Sequence, residues 1–176
     1  IQRRPAKAGF FVYAFCMFIS PYPWTGALLR SLDQEPTMGR LLDLCEENYQ
    51  ALLTLFPELP EMKGDFESHL PGQAHLKLTV LEQSKYTSLI NLTYAFDDGR
   101  ESDPDAVLRV YHDAEQVEVE QVRQSNLPEL SLYEAPGLVN KWRANIFVGK
   151  WLRFCVNQGH FFTPRHIKEI AEAAAI

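Results

Sequence analysis

The chain lacks the residue patterns on which most catalytic and cofactor sites depend. Its three cysteines, Cys16, Cys45 and Cys155, are widely spaced and form no C-x-x-C pair. That spacing argues against a disulfide framework or a zinc site and favours reduced thiols in a cytoplasmic protein. No glycine-rich phosphate loop or nucleophile motif occurs in the 176 residues, so neither a cofactor nor a metal is expected. The apolar run at residues 10–19 is too short to span a bilayer.

Positive charge is also scarce. The chain carries 17 lysine and arginine residues against 23 aspartates and glutamates, which gives a net charge of −6. An acidic body repels phosphate backbones, so nucleic-acid binding is disfavoured. The partner is unknown at this point, and a protein and a small molecule are both open as alternatives. Apolar residues make up 46% of the chain, which excludes disorder throughout and is enough for one soluble domain.

The amino end, residues 1–35, is interpreted as an irregular leader. Basic residues precede its apolar run, as in a secretory signal peptide that would occupy residues 1–27. The competing interpretation is translation from upstream of the true start, with Met17 or Met38 as the initiating residue. We favour the second interpretation because the cysteine pattern fits a reducing compartment, and we assign residues 36–176 to a single domain.

Beyond the leader, the spacing of apolar residues changes from helical to extended. Apolar residues recur every three or four positions from Pro36 to Pro57, which predicts an amphipathic helix. A linker rich in proline, glycine and charge follows at residues 58–72. Apolar residues then alternate through four segments with short connections, which predicts four antiparallel strands near residues 76–80, 86–96, 106–112 and 117–119.

A second helix is predicted from Leu138 to Gly159, where the chain has its largest aromatic stripe and where glycine suits a left-handed stop. Thr163 and Pro164 then begin a short last helix. The predicted fold class is therefore α+β. It comprises a four-stranded antiparallel meander with one face covered by an N-terminal and a C-terminal helix, plus a short last helix.

Three ungapped blocks, LTVLEQSKYTSL (78–89), LRVYHDAEQVEV (108–119) and KWLRFCVNQGHF (150–161), resemble the characteristic stretches of the YqiB-like family. The segment RLLDLCEENY (40–49) is similar to the first helix of that family. The resemblance implies a small cytoplasmic bacterial protein. Because the family is a domain of unknown function, it implies no activity, cofactor or catalytic residue.

Polar side chains interrupt the apolar alternation at one end of the predicted sheet. If Leu78 and Val80 point inward, Glu82 does so too, and the same alternation turns Tyr86 and His112 inward on the next two strands. The first and third turns of an up-and-down sheet lie at the same end, so the three groups should converge. We therefore predict a cluster of Glu82, Tyr86 and His112 that satisfies its own hydrogen bonds, binds a ligand or performs acid–base chemistry.

Two functions stay open at this point. We favour a non-enzymatic interaction or ligand-binding domain, because the chain contains no assembled catalytic motif. The alternative is a small hydrolase or nucleotide-metabolising enzyme that uses the Glu82, Tyr86 and His112 edge, with Arg153 as a contact for an anion. The acidic loop DDGRESDPD (97–105) lacks the calcium-binding pattern, and Cys155 on a helical stripe is expected to be inert packing.

Overall fold

The computed structural model describes residues 35–71, 74–95, 103–123 and 137–162, which form two helices and one sheet. The elements follow in the order α1 (Met38–Leu55), a 3₁₀ turn (Leu59–Glu61), β1 (Gly64–Ser68), β2 (His75–Gln83), β3 (Thr87–Ala95), β4 (Asp105–Tyr111), β5 (Gln116–Arg123) and α2 (Gly137–Gln158). Neither helix is long and apolar enough to cross a membrane. The predicted last helix and all but the final residue of the predicted leader lie outside the described residues.

The first helix begins and ends where side-chain chemistry allows. Thr37 is extended, and its hydroxyl accepts a hydrogen bond from the backbone N–H of Arg40 at 3.3 Å, which caps the first turn. At the other end Phe56 donates to the carbonyl of Leu52, and Pro57 has no N–H with which to continue the ladder. The buried face of α1 follows the predicted spacing of three and four: Leu41, Leu44, Cys45, Asn48, Leu52 and Leu55.

The five strands are antiparallel and lie in chain order from β1 to β5. The prediction of an α+β fold with an antiparallel sheet is confirmed, but the prediction of four strands is wrong. The missed strand, β1, falls in the segment that was assigned to a linker, and its five residues contain one large apolar side chain, Phe66. Phe66 pairs with Leu78 of β2, yet a single apolar residue gives no alternation from which a strand can be recognised.

Both helices pack on the same face of the sheet. Near the first turns of the helices, Trp142 of α2 clusters with Leu41 and Leu44 of α1. At the opposite end Phe162, which follows α2, packs on Phe56, which follows α1, with ring centroids 4.5 Å apart. The two helices therefore run in the same direction. The inward side chains of the strands are buried beneath them: Leu76, Leu78, Ile90, Leu92, Leu108, Val110, Val117 and Val119. The outer face carries the polar half of each alternating strand.

The second helix ends at a glycine in the left-handed region, as predicted. Gly159 has a φ of 91°, a conformation that side chains rarely tolerate. The following N–H, from His160, donates to the carbonyl of Cys155 at 3.1 Å. The chain then reverses so that the N–H of Phe162 donates to the carbonyl of Leu55 at 2.9 Å, which ties the ends of the two helices together.

Candidate functional site

A β-bulge in β2 decides where Glu82 points. Val80 pairs with Ile90 and Glu82 pairs with Leu89, so Leu81 is an extra residue with no partner on β3. The insertion reverses the alternation, and Glu82 shares the outer face of the sheet with Leu89. The prediction that Glu82 points inward is therefore wrong, because strict alternation holds only along a strand without a bulge.

Tyr86 and His112 meet through their backbones. Tyr86 lies in the turn between β2 and β3, and its carbonyl accepts a hydrogen bond from the N–H of His112 at 2.8 Å. The Tyr86 ring is 51% exposed, and Lys85 Nζ lies 4.7 Å from its centroid. The half-buried imidazole of His112 packs against the ring of Tyr49, with centroids 6.2 Å apart. The structure thus does not assemble Glu82, Tyr86 and His112 into one inward cluster.

The side-chain partner of His112 is a serine that the sequence reasoning did not single out. Ser88 Oγ is fully buried and lies 2.7 Å from His112 Nε2. Burial lowers the pKa of His112, and the charge of Asp113 opposes that change. Alternation could have identified this pair, because Ser88 lies opposite Val110, two residues before His112.

Arg153, suggested by the sequence as a contact for an anion, lies inside the helix pair. It is 3% exposed, and its Nη2 forms an ion pair with Glu47 at 2.9 Å. Its Nη1 donates to the side chain of Asn48 at 3.2 Å and to the carbonyl of Gly149 at 2.8 Å. Burial lowers the pKa of Arg153, and the carboxylate of Glu47 opposes the shift. The guanidinium holds α2 against α1 and offers no surface to an anion, so the suggestion is not supported.

Further polar contacts join the two helices. Asn48 Nδ2 donates to the carbonyl of Asn145 at 3.0 Å, and the thiol of Cys45 donates to the side-chain oxygen of Asn145 at 3.6 Å. Gly149 allows this close approach, because a Cβ there would lie within 3.0 Å of Asn48 Oδ1 and 2.9 Å from Arg153 Nη1. Most polar atoms of these buried groups bond to one another across the two helices, so we interpret the network as structural.

A second set of buried polar side chains lies around Cys155 beneath the sheet. Its sulfur lies 3.1 Å from the hydroxyl of Tyr94, and burial raises the pKa of the thiol to about 12. A thiol that stays protonated and has no exposed surface is a poor nucleophile. Nearby, His160 Nδ1 lies 2.9 Å from Ser68 Oγ, and burial lowers the pKa of His160 to about 4, so this imidazole is neutral at physiological pH.

An open hollow of about 590 Å³ lies on the outer face at this end of the sheet. Its lining comes from β2, β3, β4 and the turn between β2 and β3: Glu82, Gln83, Ser84, Thr87, Leu89, Arg109 and Tyr111. Leu89 pairs with Glu82 on one side and with Arg109 on the other, so the three lie in one row across neighbouring strands. A carboxylate and a guanidinium therefore flank an apolar floor.

Four of the five charged side chains in and beside this row are paired. Arg109 forms an ion pair with Glu120, the extra residue of a second bulge in β5, and Lys141 forms one with Glu118. The hydrogen bond from Arg109 to Glu120 raises the pKa of Arg109, and the charge of Glu82 adds to that effect. Within the described ranges the carboxylate of Glu82 forms no hydrogen bond or ion pair, although its charge acts on Arg109. Among these five side chains it is the one outside an ion pair.

Most of the acidic loop lies outside the described residues. Of the part that is described, Asp105 accepts a hydrogen bond from Asn91 at 2.7 Å and forms an ion pair with Arg123. The described part of the chain contains no group of three or more histidine, cysteine, aspartate or glutamate residues able to hold a metal ion.

These features define an α+β domain in which two helices cover one face of a five-stranded meander and the other face carries a polar hollow. The chain belongs to the family described as Protein of unknown function (DUF1249), whose profile matches residues 51–161. It is similar to the Uncharacterized protein YqiB of Escherichia coli strain K12 and to proteins of that name in strains O6:H1 and O157:H7. Each is 28% identical over 137 residues, which cover 73% of this chain and 95% of the relative. The resemblance to the YqiB-like family is confirmed, and no solved structure matches the chain significantly.

Proposed function

We propose that this domain is a non-enzymatic ligand-binding module and that the hollow on the outer face receives the ligand. The observation that carries the proposal is the bulge at Leu81. A bulge disrupts the hydrogen-bond ladder and is a common means of turning a side chain toward a site. Here it turns Glu82 away from the covered face and into the wall of a concave surface.

The size and lining of the hollow support the same proposal. Its volume of about 590 Å³ is within the range of small-ligand sites, about 300–1,000 Å³. Leu89 supplies an apolar floor, and polar groups of both signs and several hydroxyls surround it. Leu81 and Tyr86, which flank the β2 and β3 ends of the hollow in sequence, are 48% and 51% exposed. Sites of this kind bind a ligand through apolar contact and orient it through a few polar groups.

Four matched probes test the proposal: pentylamine, pentanol, norvaline and pentanoate. They share a five-carbon skeleton and differ in charge. We expect at least one of them to shift the backbone amide resonances of Thr87, Leu89 and Arg109 in ¹⁵N-labelled protein, in a saturable way, while the amides of α2 stay unchanged. If none of the four shifts the hollow amides, or if the shifts spread evenly over the domain, the proposed function is wrong.

A second candidate function, a small hydrolase, rests on the contact between Ser88 and His112. A serine hydroxyl 2.7 Å from an imidazole nitrogen has the geometry of a nucleophile and its base. Ser88 is fully buried, however, and a substrate needs access to the hydroxyl that attacks it. The neighbouring ring of Tyr49 is also buried, so this pair is better explained as a structural contact of the core.

Labelling with a fluorophosphonate probe distinguishes the two candidates. We expect no adduct on Ser88 in the folded protein, because the probe cannot reach a fully buried hydroxyl. The matched control is Ser88→Ala, which should give the same background signal. A Ser88 adduct that disappears in the His112→Gln variant would support the hydrolase and exclude a purely structural role for the pair.

We also infer a reducing, cytoplasmic setting. Both described cysteines are free and buried, and each thiol is bonded to a neighbouring side chain: Cys45 to Asn145 and Cys155 to Tyr94. Such thiols are typical of proteins from reducing compartments. Fractionation of bacterial cells that express the natural gene tests the inference, which recovery in the periplasm would contradict.

A further inference from the structure

The wall of the hollow carries one carboxylate that is not held in an ion pair. Arg109 and Lys141 are each held by a glutamate, Glu120 and Glu118 respectively, so their charges are compensated. Glu82 has no such partner within the described residues. The whole chain has the same sign, with a net charge of −6, and a field of that sign draws cations toward the surface and repels anions.

The groups beside Glu82 suit an ammonium ion with an alkyl stem. Glu82 and Leu89 are paired across neighbouring strands, and side chains in such pairs have Cβ atoms about 5 Å apart. An ammonium bonded to the carboxylate of Glu82 therefore brings its methylene stem over the leucine floor, as lysine side chains do on apolar surfaces. An ammonium has three donors, and Ser84 and Thr87 line the same hollow. The hydroxyl of Ser84 accepts from the N–H of Thr87 and donates to its carbonyl, which leaves it one lone pair for a further donor.

We infer that the hollow selects a primary ammonium group on an aliphatic stem, with Glu82 as the residue that determines this specificity. The inference rests on the proposed binding function and adds the chemical class of the ligand. The same chemistry comes from a free aliphatic amine or from a lysine side chain of another protein. An anion is disfavoured, because Arg109 already bonds to Glu120 and the surrounding carboxylates repel it.

Affinities measured by amide titration test the inference. In the unmodified protein we expect pentylamine to bind more tightly than norvaline or pentanol, and pentanoate to bind least. Glu82→Gln should weaken pentylamine binding about fivefold, the upper end of what one exposed ion pair contributes. Arg109→Gln should strengthen pentylamine binding, since it removes a cation near Glu82 and releases Glu120. Glu67→Gln, on the same face but outside the hollow, is the matched control and should stay within about twofold of the unmodified protein.

Two further arms separate the sources of the ammonium. If 1,5-diaminopentane binds more tightly than a blocked lysine, Nα-acetyl-lysine methylamide, the result supports a free amine as the natural ligand. The reverse order supports a lysine side chain of another protein. Both results support the ammonium specificity.

Other outcomes overturn the inference, and they do so in distinguishable ways. Equal affinities of the Glu82→Gln variant and the unmodified protein would exclude Glu82 as the determinant. Preference for norvaline, with losses in both Glu82→Gln and Arg109→Gln, would indicate a zwitterionic ligand. In both cases saturable shifts in the hollow would preserve the proposed binding function, whereas the absence of binding by every probe would remove both. Glu82 is exposed, so its substitution does not threaten folding.

Discussion

Replacing Gly149 with alanine tests whether a close polar contact holds the two helices together. A Cβ at this position would lie within 3.0 Å of Asn48 Oδ1 and 2.9 Å from Arg153 Nη1. Neither group is free to swing aside, because Asn48 also donates to Asn145 and Arg153 is paired with Glu47. The added methyl group must therefore push α2 away from α1 or break contacts of the buried network.

Opposing effects determine how much Gly149→Ala changes the free energy of unfolding. Alanine is favoured over glycine inside a helix by about 1 kcal/mol, which stabilises the variant. Overpacking costs about 2 kcal/mol, and leaving a buried polar group without its partner costs about 2 kcal/mol more. We therefore expect the free energy of unfolding of Gly149→Ala to be about 3 kcal/mol lower than that of the unmodified protein.

Urea unfolding, followed by tryptophan fluorescence to which Trp142 and Trp151 on α2 contribute, measures this difference. Gly39→Ala is the matched control, because a Cβ at this other helical glycine has nothing within 4 Å. It should unfold at the same urea concentration or a higher one. In an Asn48→Ala background the cost of Gly149→Ala should shrink by about half, since one of the clashing atoms is gone. Equal stability of Gly149→Ala and Gly39→Ala would refute the close-contact explanation.

Three other predictions concern buried groups. Burial lowers the pKa of His160 from its ordinary value of 6.5 to about 4, so stability should decrease by up to about 3 kcal/mol as the pH falls from 6.5 to 4, and His160→Gln should flatten that dependence in urea titrations. Glu47→Gln should lower the free energy of unfolding by about 3 kcal/mol, because it leaves Arg153 buried without its carboxylate. Cys45 and Cys155, with thiol pKa values of about 12, should resist iodoacetamide at pH 8 in the folded protein, as read by peptide mass spectrometry.

Exposed residues provide the controls for these predictions. His69→Gln, at a histidine whose side chain is 56% exposed, should keep the pH dependence of the unmodified protein, and an equal flattening would contradict the role of His160. Glu46→Gln, beside Glu47 but exposed, should change stability by less than about 0.5 kcal/mol, and a loss as large as that of Glu47→Gln would argue against the buried ion pair. The two cysteines should react once urea unfolds the chain; rapid labelling before unfolding would show that they are accessible.

Apolar periodicity located both described helices and four of the five strands, because those segments bury one face and leave the other polar. It failed at β1, where Phe66 is the sole large apolar residue. It also misplaced Glu82, although a local signal exists. Val80 and Leu81 are consecutive apolar residues, whereas strict alternation would place a polar residue at one of the two positions. Two apolar residues in a row are consistent with one extra residue in the strand, which is what a bulge inserts. The spacing of three between Val119 and Val122 carries the same signal for the bulge in β5.

The helix interface could not be predicted in this way. A mid-helix arginine such as Arg153 has the same local pattern whether its face is solvated or buried. Only the packing of α1 on α2 decides that it is buried, and this packing involves Glu47 and Asn48, more than 100 residues earlier. Gly149 was the single local hint, because glycine inside a helix often marks a close approach. The hollow could not be predicted from the sequence either, since the shape of a concave surface depends on strand register.

The contacts between α1 and α2 also impose an order on synthesis. They join residues 97, 105 and 106 positions apart, whereas each strand of the sheet pairs with the next one along the chain. The sheet can therefore assemble hairpin by hairpin as the chain emerges from the ribosome. Arg153, which forms an ion pair with Glu47, and the apolar residues with which α2 packs on the sheet are added only when α2 has been translated. A nascent chain that stalls before residue 137 lacks α2 and leaves the apolar residues that α2 covers open to chaperones and proteases.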